Sequence, residues 1–597
     1  MGARARTLRR VTGAALYRRR LAAGERVLGL GDKAFRLDRR GGIFELWNTD
    51  DATFAAGRDP LYKAIPIVFG VLPDRAWGAY VESTARLVFD CRDDELRVYG
   101  PKPAAVHELE GARLADVVAR MSEVVGRAPL PPRWALGYHQ SSWSYASEDE
   151  VRELAAEFRR RGIPLGAIHL DIDHMDGYRV FTWNRRRFPD PGGLAERIGV
   201  RLVAIVDPGI KAERGYAVHD DAVRQGFALT GPGGVPWVGR SWAGRSVWPD
   251  FTRPAVRRWW GDLHRGLVEA GVSGIWCDMN EPSVGHRSTL PDEVLDPEAH
   301  NAYGHLMARA AHEGLARLRP GVRPFVLTRA GCAGTQRYAA TWTGDNHSTW
   351  THLRLALRQC LGLGLSCFPF CGSDVGGFKG RCEPELFARW VQLGAFTPFF
   401  RTHYARRYTP GRQEPWSFGP EVEAVARAAI ELRYELMPYT YTAFWRHTQT
   451  GLPVMRPLVL EWQDDARAAA CEDAFLWGDS LLVAPVLRKG ARRRRVYLPA
   501  GDWTDFWSGA RLAGPRTVVA EAPLDRIPLY VRGGTVLPFA DGRLRLYPGE
   551  GTSWLYEDDG ETVAGPTRVT RFDVRGEEVS IASEGDFEGM PLDRIGR

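Results

Sequence analysis

Short apolar runs alternate with amphipathic segments through the middle of the chain. Eight of these runs are almost continuously apolar and end in polar residues, which is typical of strands buried on both faces of a parallel sheet. They are WALGYHQ from Trp134, LGAIHLDID from Leu165, VRLVAIVDPG from Val200, VSGIWCDMNEP from Val272, RPFVLTRA from Arg323, AATWTGDN from Ala339, LSCFPFCGSD from Leu365 and FTPFFRTH from Phe396. Eight strand–helix units predict an α/β fold, a closed (β/α)₈ barrel.

The clearest helical pattern between these runs is SEDEVRELAAEFRRRG, residues 147–162. Val151, Leu154 and Phe158 fall on one face of this helix. Ser147 followed by Glu150 predicts a capping box at its first turn. By contrast, the link between the fifth and sixth runs has room for about one helical turn, so this unit departs most from the repeat.

The segments on either side of the barrel have short β-rich runs broken by Gly, Pro and Asp. We divide the chain into a β-sandwich at 1–128, the barrel at 129–451, a proximal C-terminal β-sandwich at 452–540 and a short distal β domain at 541–597. Residues 209–253 are too many for a simple loop and are rich in Gly, Trp and Pro. They predict a small subdomain over the barrel mouth.

Composition excludes several classes of protein. With 44% hydrophobic and 26% charged residues among 597, the chain is neither disordered nor fibrous. No apolar stretch approaches the roughly 18 residues of a membrane span. The basic N-terminus lacks the apolar region of a signal peptide, which predicts no membrane partner and a cytoplasmic location.

The net charge of +7 raises the possibility of a nucleic-acid partner. Basic residues are interleaved with acids along the whole chain, however, and the densest run, Arg492 to Arg495, fits an exposed strand entry. No nucleic-acid partner is therefore predicted. The eight cysteines show no CxxC spacing, so we expect small buried residues and no zinc site.

Carboxylates follow five of the eight apolar runs. They are Asp171 with Asp173, Asp207, Asp278 with Glu281, Asp345, and Asp374. In a barrel these acids meet at the C-terminal face. Together with Trp242, Trp276, Trp342 and His403 they suit a sugar ring, because carboxylates accept hydroxyl protons and indole faces cover C–H groups. A single strand-end Asp more often caps a turn or helix, and clustered acids also bind Ca²⁺ or Mg²⁺, although no EF-hand loop is present.

Two motifs resemble those of glycoside hydrolase family 31. GIWCDMNEPS at 274–283 is similar to the family's central signature, and WTGDN at 342–346 is similar to its second motif. The resemblance implies that Asp278 is the nucleophile and Asp345 the general acid/base. Both motifs occur in the family's order, on successive predicted strand ends.

Further matches imply the residues that bind substrate. HLDIDHM resembles the family's second-strand motif and implies Asp171 and Ile172 in the −1 subsite. The other implied contacts are the apolar Trp242, Trp276, Met279, Trp342 and Phe378, and the polar Arg329, Asp374 and His403. Structural roles stay open as alternatives for the three polar residues. Asp374 could cap a turn or helix, Arg329 could form a structural ion pair, and His403 could be a hydrogen-bonded histidine at a strand end.

The resemblance implies a retaining, exo-acting α-glucosidase whose substrates are oligosaccharides or α-glucosides. It implies neither a cofactor nor a metal. Some members of the family form homo-oligomers, so a homo-oligomer is possible here. The sequence Asp171-Ile172-Asp173 resembles the α-glucosidase subset. The alternatives are an α-xylosidase or another α-glycosidase of the same family, and a non-catalytic carbohydrate-binding relative. Family members usually have a longer N-terminal sandwich, so we expect a truncated one here, with one wall of the substrate pocket in doubt.

Overall fold

The structure is a computed structural model that describes residues 14–285, 289–406 and 411–596. The basic segment 1–13, from which the cytoplasmic location was predicted, lies outside this part of the chain. Within it, no helix is long and apolar enough to cross a membrane.

Eight parallel strands close into a barrel in sequence order. The strands are Tyr138–Gln140, Ala167–Leu170, Arg201–Val206, Val272–Cys277, Val326–Thr328, Ala340–Trp342, Cys371–Asp374 and Phe399–Thr402. The last strand pairs in parallel with the first, which closes the cylinder. The predicted barrel is confirmed, and each strand falls within its predicted apolar run.

Helices surround the barrel on its outer side. They are Glu148–Arg160, Leu194–Ile198, Ala217–Arg224, Pro254–Leu263, Arg265–Glu269, Pro297–His300, Tyr303–Leu318, Trp350–Leu365, Pro384–Gly394, Pro420–Glu435 and Met437–Thr450. In the first of them, the Ser147 hydroxyl accepts the Glu150 N–H at 3.2 Å, as the capping pattern predicted. The short link between the fifth and sixth strands has a single 3₁₀ turn, Thr335–Arg337, as its helical element.

Two four-stranded antiparallel sheets form the N-terminal domain. One contains Tyr17–Arg20, Glu95–Tyr99, Leu87–Asp90 and Ile43–Leu46, and the other contains Arg26–Gly29, Ile67–Leu72, Arg75–Glu82 and Ala105–Gly111. A shared apolar core includes Val27, Phe89 and Val98. The helix Leu114–Val125 follows the second sheet.

The N-terminal domain is joined to the barrel by a parallel pairing of Lys63–Ala64 with Gly331–Cys332, just after the fifth barrel strand. The connecting segment before it, residues 47–62, therefore runs beside the barrel mouth. Asp50 and Ala52 of this segment line the cavity described below, so the N-terminal domain contributes to the pocket wall that the sequence left in doubt.

The C-terminal part contains three sheets. The largest has six strands, Met455–Pro457, Phe475–Trp477, Leu481–Val483, Leu529–Arg532, Arg493–Asp505 and Arg511–Glu521, beside the helix Ala466–Ala469. Two three-stranded sheets follow, one of Thr535–Pro538, Leu544–Tyr547 and Ile595–Gly596, the other of Gly549–Glu557, Arg568–Gly576 and Glu578–Gly585. The segment inserted after the third barrel strand has its own sheet of Ile210–Lys211, Gly239–Ser241 and Gly244–Val247.

The cysteines are structural residues of this fold. All eight are free, and seven of them are buried, as predicted. Burial in apolar surroundings raises the pKa of several of these thiols, including Cys277 and Cys367, which keeps them protonated.

Candidate active site

A cavity of about 720 Å³ opens at the carboxyl ends of the barrel strands. Ten of the twelve residues predicted to act in the site line it: Asp171, Ile172, Trp242, Met279, Asp278, Arg329, Trp342, Asp345, Phe378 and His403. Parallel strands in a barrel all end at one face, which is why residues up to 232 positions apart in the chain meet here.

Asp278 follows the fourth barrel strand, where the chain makes a tight turn. Met279 has a φ of 55°, a left-handed conformation that few non-glycine residues adopt. This turn directs the Met279 N–H to Oδ1 of Asp278 at 2.7 Å. A hydrogen bond from a backbone amide stabilises the ionised carboxylate.

Arg329, from the end of the fifth strand, is the central cation of the site. It donates two hydrogen bonds of 2.8 Å to Glu281. Its guanidinium also lies 3.0 Å from Asp278, 3.3 Å from Asp50 and 3.7 Å from Asp345. One buried guanidinium therefore serves four carboxyl groups, and the site has an excess of negative charge.

Asp345 follows the sixth strand after a glycine that the packing requires. Gly344 has a φ of 75°, and a Cβ atom there would lie 2.1 Å from the Tyr62 ring. This close approach lets the Tyr62 hydroxyl accept the Asp345 N–H at 3.4 Å. The carboxyl group of Asp345 is left facing the cavity, 3.7 Å from Nζ of Lys379.

The two candidate catalytic carboxyl groups differ in their surroundings. Burial raises the pKa of Asp345 to about 6, while Arg329 opposes this rise and Asp50 adds to it. Burial also raises the pKa of Asp278, where Arg329 and the Met279 amide oppose the rise and Asp50 adds to it. The difference lies in the contacts, because the Arg329 guanidinium is 3.0 Å from Asp278 but 3.7 Å from Asp345, and Asp278 alone of the two accepts the Met279 N–H. These contacts favour the ionised form at Asp278 and the proton at Asp345.

A set of polar groups on the other side of the cavity can bind sugar hydroxyls. Oδ1 of Asp171 accepts the N–H of Ile172 at 2.7 Å, and its Oδ2 lies 3.9 Å from Nε2 of His403. The Ser141 hydroxyl is 2.8 Å from Nδ1 of His403 and fixes the ring. Burial lowers the pKa of His403 well below its ordinary value, so the imidazole is neutral.

Aromatic rings form the apolar side of the cavity. Phe378 stacks on His403 with ring centroids 4.8 Å apart, and Trp143 stacks on Phe378 at 6.2 Å. Trp242, from the inserted sheet, packs edge-on against Trp143 at 5.1 Å and is 37% exposed. Such surfaces suit the C–H faces of a sugar.

Trp276 and Asp374, the two remaining predicted residues, do not line the cavity. Asp374 pairs with Arg401 at 2.8 Å, and both side chains are buried. The Arg401 guanidinium lies between Trp276 and Trp342, at 4.7 and 5.0 Å from the ring centroids. Trp276 packs against Trp342, which does line the cavity, so we interpret Trp276 and Asp374 as residues that support the cavity wall. Their contact with substrate stays a prediction.

The cavity also includes residues to which the sequence had given no role. Asp50 and Lys379 lie on loops without a periodic pattern, and Trp143 follows the first strand in a Ser-rich segment. Asp207 had been recognised only as a strand-end acid, and its buried Oδ1 makes no hydrogen bond within the described residues. For Trp143 and Asp207, the sequence offered one indication of a place in the cavity, which is that each follows a predicted barrel strand.

No group of three or more His, Cys, Asp or Glu side chains is arranged to hold a metal ion among residues 14–285, 289–406 and 411–596.

Comparison with known proteins agrees with this geometry. Residues 128–443 match the glycosyl hydrolases family 31 TIM-barrel domain, more than half of the chain. The chain belongs to glycosyl hydrolase family 31. Residues 451–537 match the C-terminal domain of family 31, and residues 12–90 match its N-terminal galactose mutarotase-like domain.

Two family 31 relatives are α-glucosidases by name. The chain is 41% identical over 566 residues to alpha-glucosidase 2 of Bacillus thermoamyloliquefaciens, covering 89% of this chain and 72% of the relative. It is 35% identical to human neutral alpha-glucosidase AB, covering 95% of this chain and 66% of the relative. The chain thus spans about two thirds of the length of the human protein.

Solved family 31 structures share the fold. A dextranase of Flavobacterium johnsoniae complexed with isomaltotriose is 30% identical with a TM-score of 0.87, covering 94% of this chain and 74% of that one. The Glc1Man2-bound glucosidase II alpha subunit is 29% identical with a TM-score of 0.88, covering 95% of this chain and 68% of that one.

Proposed function

We propose that this chain is a retaining, exo-acting α-glucosidase in which Asp278 is the nucleophile and Asp345 the general acid/base. The observation that carries the proposal is that both carboxyl groups face one cavity within 3.7 Å of the same guanidinium, that of Arg329. Two adjacent carboxyl groups with different protonation are what glycosidic bond cleavage requires.

The reaction proceeds in two steps. In the first, ionised Asp278 attacks C1 of the glucosyl residue while neutral Asp345 gives its proton to the glycosidic oxygen, and the C1–O bond breaks. In the second, Asp345, now ionised, takes a proton from water, and the oxygen of that water displaces Asp278 from C1. Two displacements at C1 leave its configuration unchanged.

The ionised carboxylate of Asp278 favours this reaction. The transition state of each step resembles an oxocarbenium ion, in which positive charge develops at C1 and the ring oxygen. Among the acids that line the cavity, Asp278 is the one whose ionised form is favoured by both Arg329 and the Met279 amide. Its fixed position stabilises this charge without rearrangement during the reaction.

The preference for terminal glucose rests on the relatives and on the form of the cavity. The named relatives are α-glucosidases. The cavity has buried residues at its base, including Ile205 and Trp342, so that a chain end fits better than the middle of a polymer.

The test is a comparison of purified protein on 4-nitrophenyl α-glucoside and 4-nitrophenyl α-xyloside. We expect turnover of the glucoside, with α-glucose as the first product observed by NMR. Preferential turnover of the xyloside would make the chain an α-xylosidase, and no turnover of either would favour a carbohydrate-binding relative. A β-anomer as first product would contradict the retaining mechanism.

The cytoplasmic location and the formation of a homo-oligomer stay predictions. Cell fractionation tests the first, and sedimentation equilibrium of the purified protein tests the second.

A further inference from the structure

Lys379 lies beside the proposed acid/base on the loop that follows the seventh barrel strand. Its Nζ is 3.7 Å from Oδ2 of Asp345, and it donates a hydrogen bond of 3.2 Å to the carbonyl of Ala52. The side chain is 32% exposed and lines the cavity. The ammonium thus bridges the N-terminal domain and the carboxyl group of Asp345.

The backbone around Lys379 is fixed to the loop that carries Asp345. The N–H of Lys379 donates to the carbonyl of Asn346 at 3.0 Å, and the N–H of Ser348 donates to the carbonyl of Lys379 at 2.8 Å. The Asn346 side chain accepts the N–H of Phe378 at 2.9 Å and donates to the carbonyl of Asp374 at 3.1 Å. The two loops therefore hold Lys379 and Asp345 in a constant relation.

Several charged or titratable groups face Asp345 from the surrounding elements. They are Arg329 from the fifth strand, Asp278 from the fourth, Asp50 and Tyr62 from the N-terminal domain, and Lys379. Of the two cations, Arg329 is shared among four carboxyl groups. Lys379, within the ion pairs of the described residues, is paired with Asp345.

We propose that Lys379 is a positioning residue for departure of the leaving group, holding the Asp345 carboxyl towards the glycosidic oxygen and stabilising the carboxylate formed when its proton is transferred. This inference rests on the proposed role of Asp345. When Asp345 transfers its proton, its neutral carboxyl group becomes an anion 3.7 Å from the Lys379 ammonium. The two opposite charges then attract each other, and this attraction is absent before the transfer. Lys379 therefore favours the step that expels a poor leaving group.

The sign of the effect on pH dependence follows from the charges. The Lys379 ammonium lowers the pKa of Asp345, and the Asp50 carboxylate raises it. Removing Lys379 raises this pKa, so that Asp345 keeps its proton to higher pH and the alkaline limb of kcat/KM moves to higher pH. Removing the charge of Asp50 moves the limb in the opposite direction.

The experiment compares Lys379→Met with wild type on two substrates, an α-linked glucose disaccharide and 4-nitrophenyl α-glucoside. The disaccharide needs a proton on its leaving oxygen, whereas nitrophenolate leaves without one. We expect kcat for the disaccharide to fall about tenfold and kcat for the nitrophenyl glucoside to fall less than about threefold. We expect the alkaline limb of the kcat/KM profile of Lys379→Met to move to higher pH by about 0.5 to 1 pH unit, and that of Asp50→Asn to move to lower pH.

Two variants serve as controls. Lys379→Arg keeps the positive charge, so its kcat for the disaccharide and the pH position of its alkaline limb should stay close to those of wild type. Lys211→Met removes a lysine of similar exposure that pairs with Glu213 and does not line the cavity. It leaves both quantities unchanged, and the Tm of each variant checks that the fold is retained.

An equal loss on both substrates with an unmoved alkaline limb would overturn the role of Lys379. The proposed role of Asp345 is tested separately, by whether azide restores activity to Asp345→Ala. If azide restores the activity of Asp345→Ala but Lys379→Met leaves the pH dependence unchanged, the acid/base role of Asp345 is retained and the positioning role of Lys379 is rejected. Absence of rescue would instead reject the acid/base assignment.

Discussion

Nε of Arg329 lies 3.0 Å from Oδ1 of Asp278. This contact places a buried cation against the proposed nucleophile and favours its ionised form. Because Arg329 also hydrogen-bonds Glu281, the cation is held in place by a second carboxylate that has no access to the cavity. The proposed mechanism depends on this arrangement.

Replacing Asp278 removes the group that forms the covalent intermediate. We expect Asp278→Asn to lower kcat by roughly 10⁴-fold or more with little change in Tm. In wild type, a 5-fluoro-α-glucosyl fluoride should label the peptide that contains Asp278, as measured by mass spectrometry. Labelling of a different carboxylate would contradict the assignment.

Replacing Asp345 removes the proton donor but leaves the nucleophile. We expect Asp345→Ala to lower kcat/KM for a disaccharide by about 10²- to 10⁴-fold and to affect 4-nitrophenyl α-glucoside much less. Azide should restore turnover and give α-glucosyl azide, identified by NMR. A β-configured azide product would indicate a different stereochemical course.

Replacing Arg329 leaves several buried carboxylates without their cation. We expect Arg329→Met to lower the free energy of unfolding by about 3–5 kcal/mol, because Arg329 is 2% exposed and Glu281 is fully buried. Loss of the cation raises the pKa of Asp278, so the acid limb of the pH–rate profile should move to higher pH. Denaturant unfolding and kcat/KM against pH measure the two effects.

Arg329→Lys is the matched control for this change. It keeps the charge but loses the two parallel hydrogen bonds to Glu281, so both effects should be smaller. Equal Tm values for Arg329→Met and wild type would show that the carboxylates do not depend on this cation.

Two tryptophans near the cavity should respond differently to replacement. Trp242→Ala removes an aromatic face that is 37% exposed at the mouth, and we expect KM to rise about five- to tenfold with Tm nearly unchanged. Trp276→Ala empties a site that is 1% exposed beside Arg401, and we expect a loss of about 3–5 kcal/mol in the free energy of unfolding. A KM effect of Trp276→Ala with unchanged stability would contradict its supporting position.

Three buried carboxyl groups contribute a stability that falls as pH rises. Burial raises the pKa of Asp207 to about 8 and those of Glu281 and Asp374 to about 7, all above the value of about 4 in an unfolded chain. Between these limits the three groups bind more protons in the folded chain than in the unfolded chain. Their contribution to stability is therefore largest at low pH within this window and declines towards pH 8.

Buried histidines such as His139 and His174, whose pKa burial lowers, act in the opposite sense below about pH 6.5, so the carboxyl contribution is measured as a difference between variants. The Tm of Asp207→Asn should rise relative to that of wild type between about pH 6.5 and pH 8, because the amide cannot ionise. Asp149→Asn, in an exposed position on the first barrel helix, should keep a constant Tm difference from wild type over this range. Calorimetry measures both differences, and a Tm difference for Asp207→Asn that does not change with pH would contradict the raised pKa of Asp207.

Local patterns were enough to predict the barrel and most of the candidate site. Strands buried on both faces must be apolar throughout, and their ends must carry the polar residues, so strand positions and the acids after them were visible in the sequence. Asp278 and Asp345 were found in this way together with their motifs. The turn at Met279 and the close contact of Gly344 with Tyr62 were not visible, because both depend on atoms distant in the chain.

The order of apolar and polar residues along the chain is enough to show which residues end the barrel strands, and hence which carboxyl groups share one face. Three-dimensional packing decided which acids reach the cavity, since Asp374 pairs with Arg401 and Asp50 enters from the N-terminal domain. It also decided their charge states. The pKa of each acid depends on burial and on cations such as Arg329 and Lys379, whose distances from the acid arise only when the loops pack together.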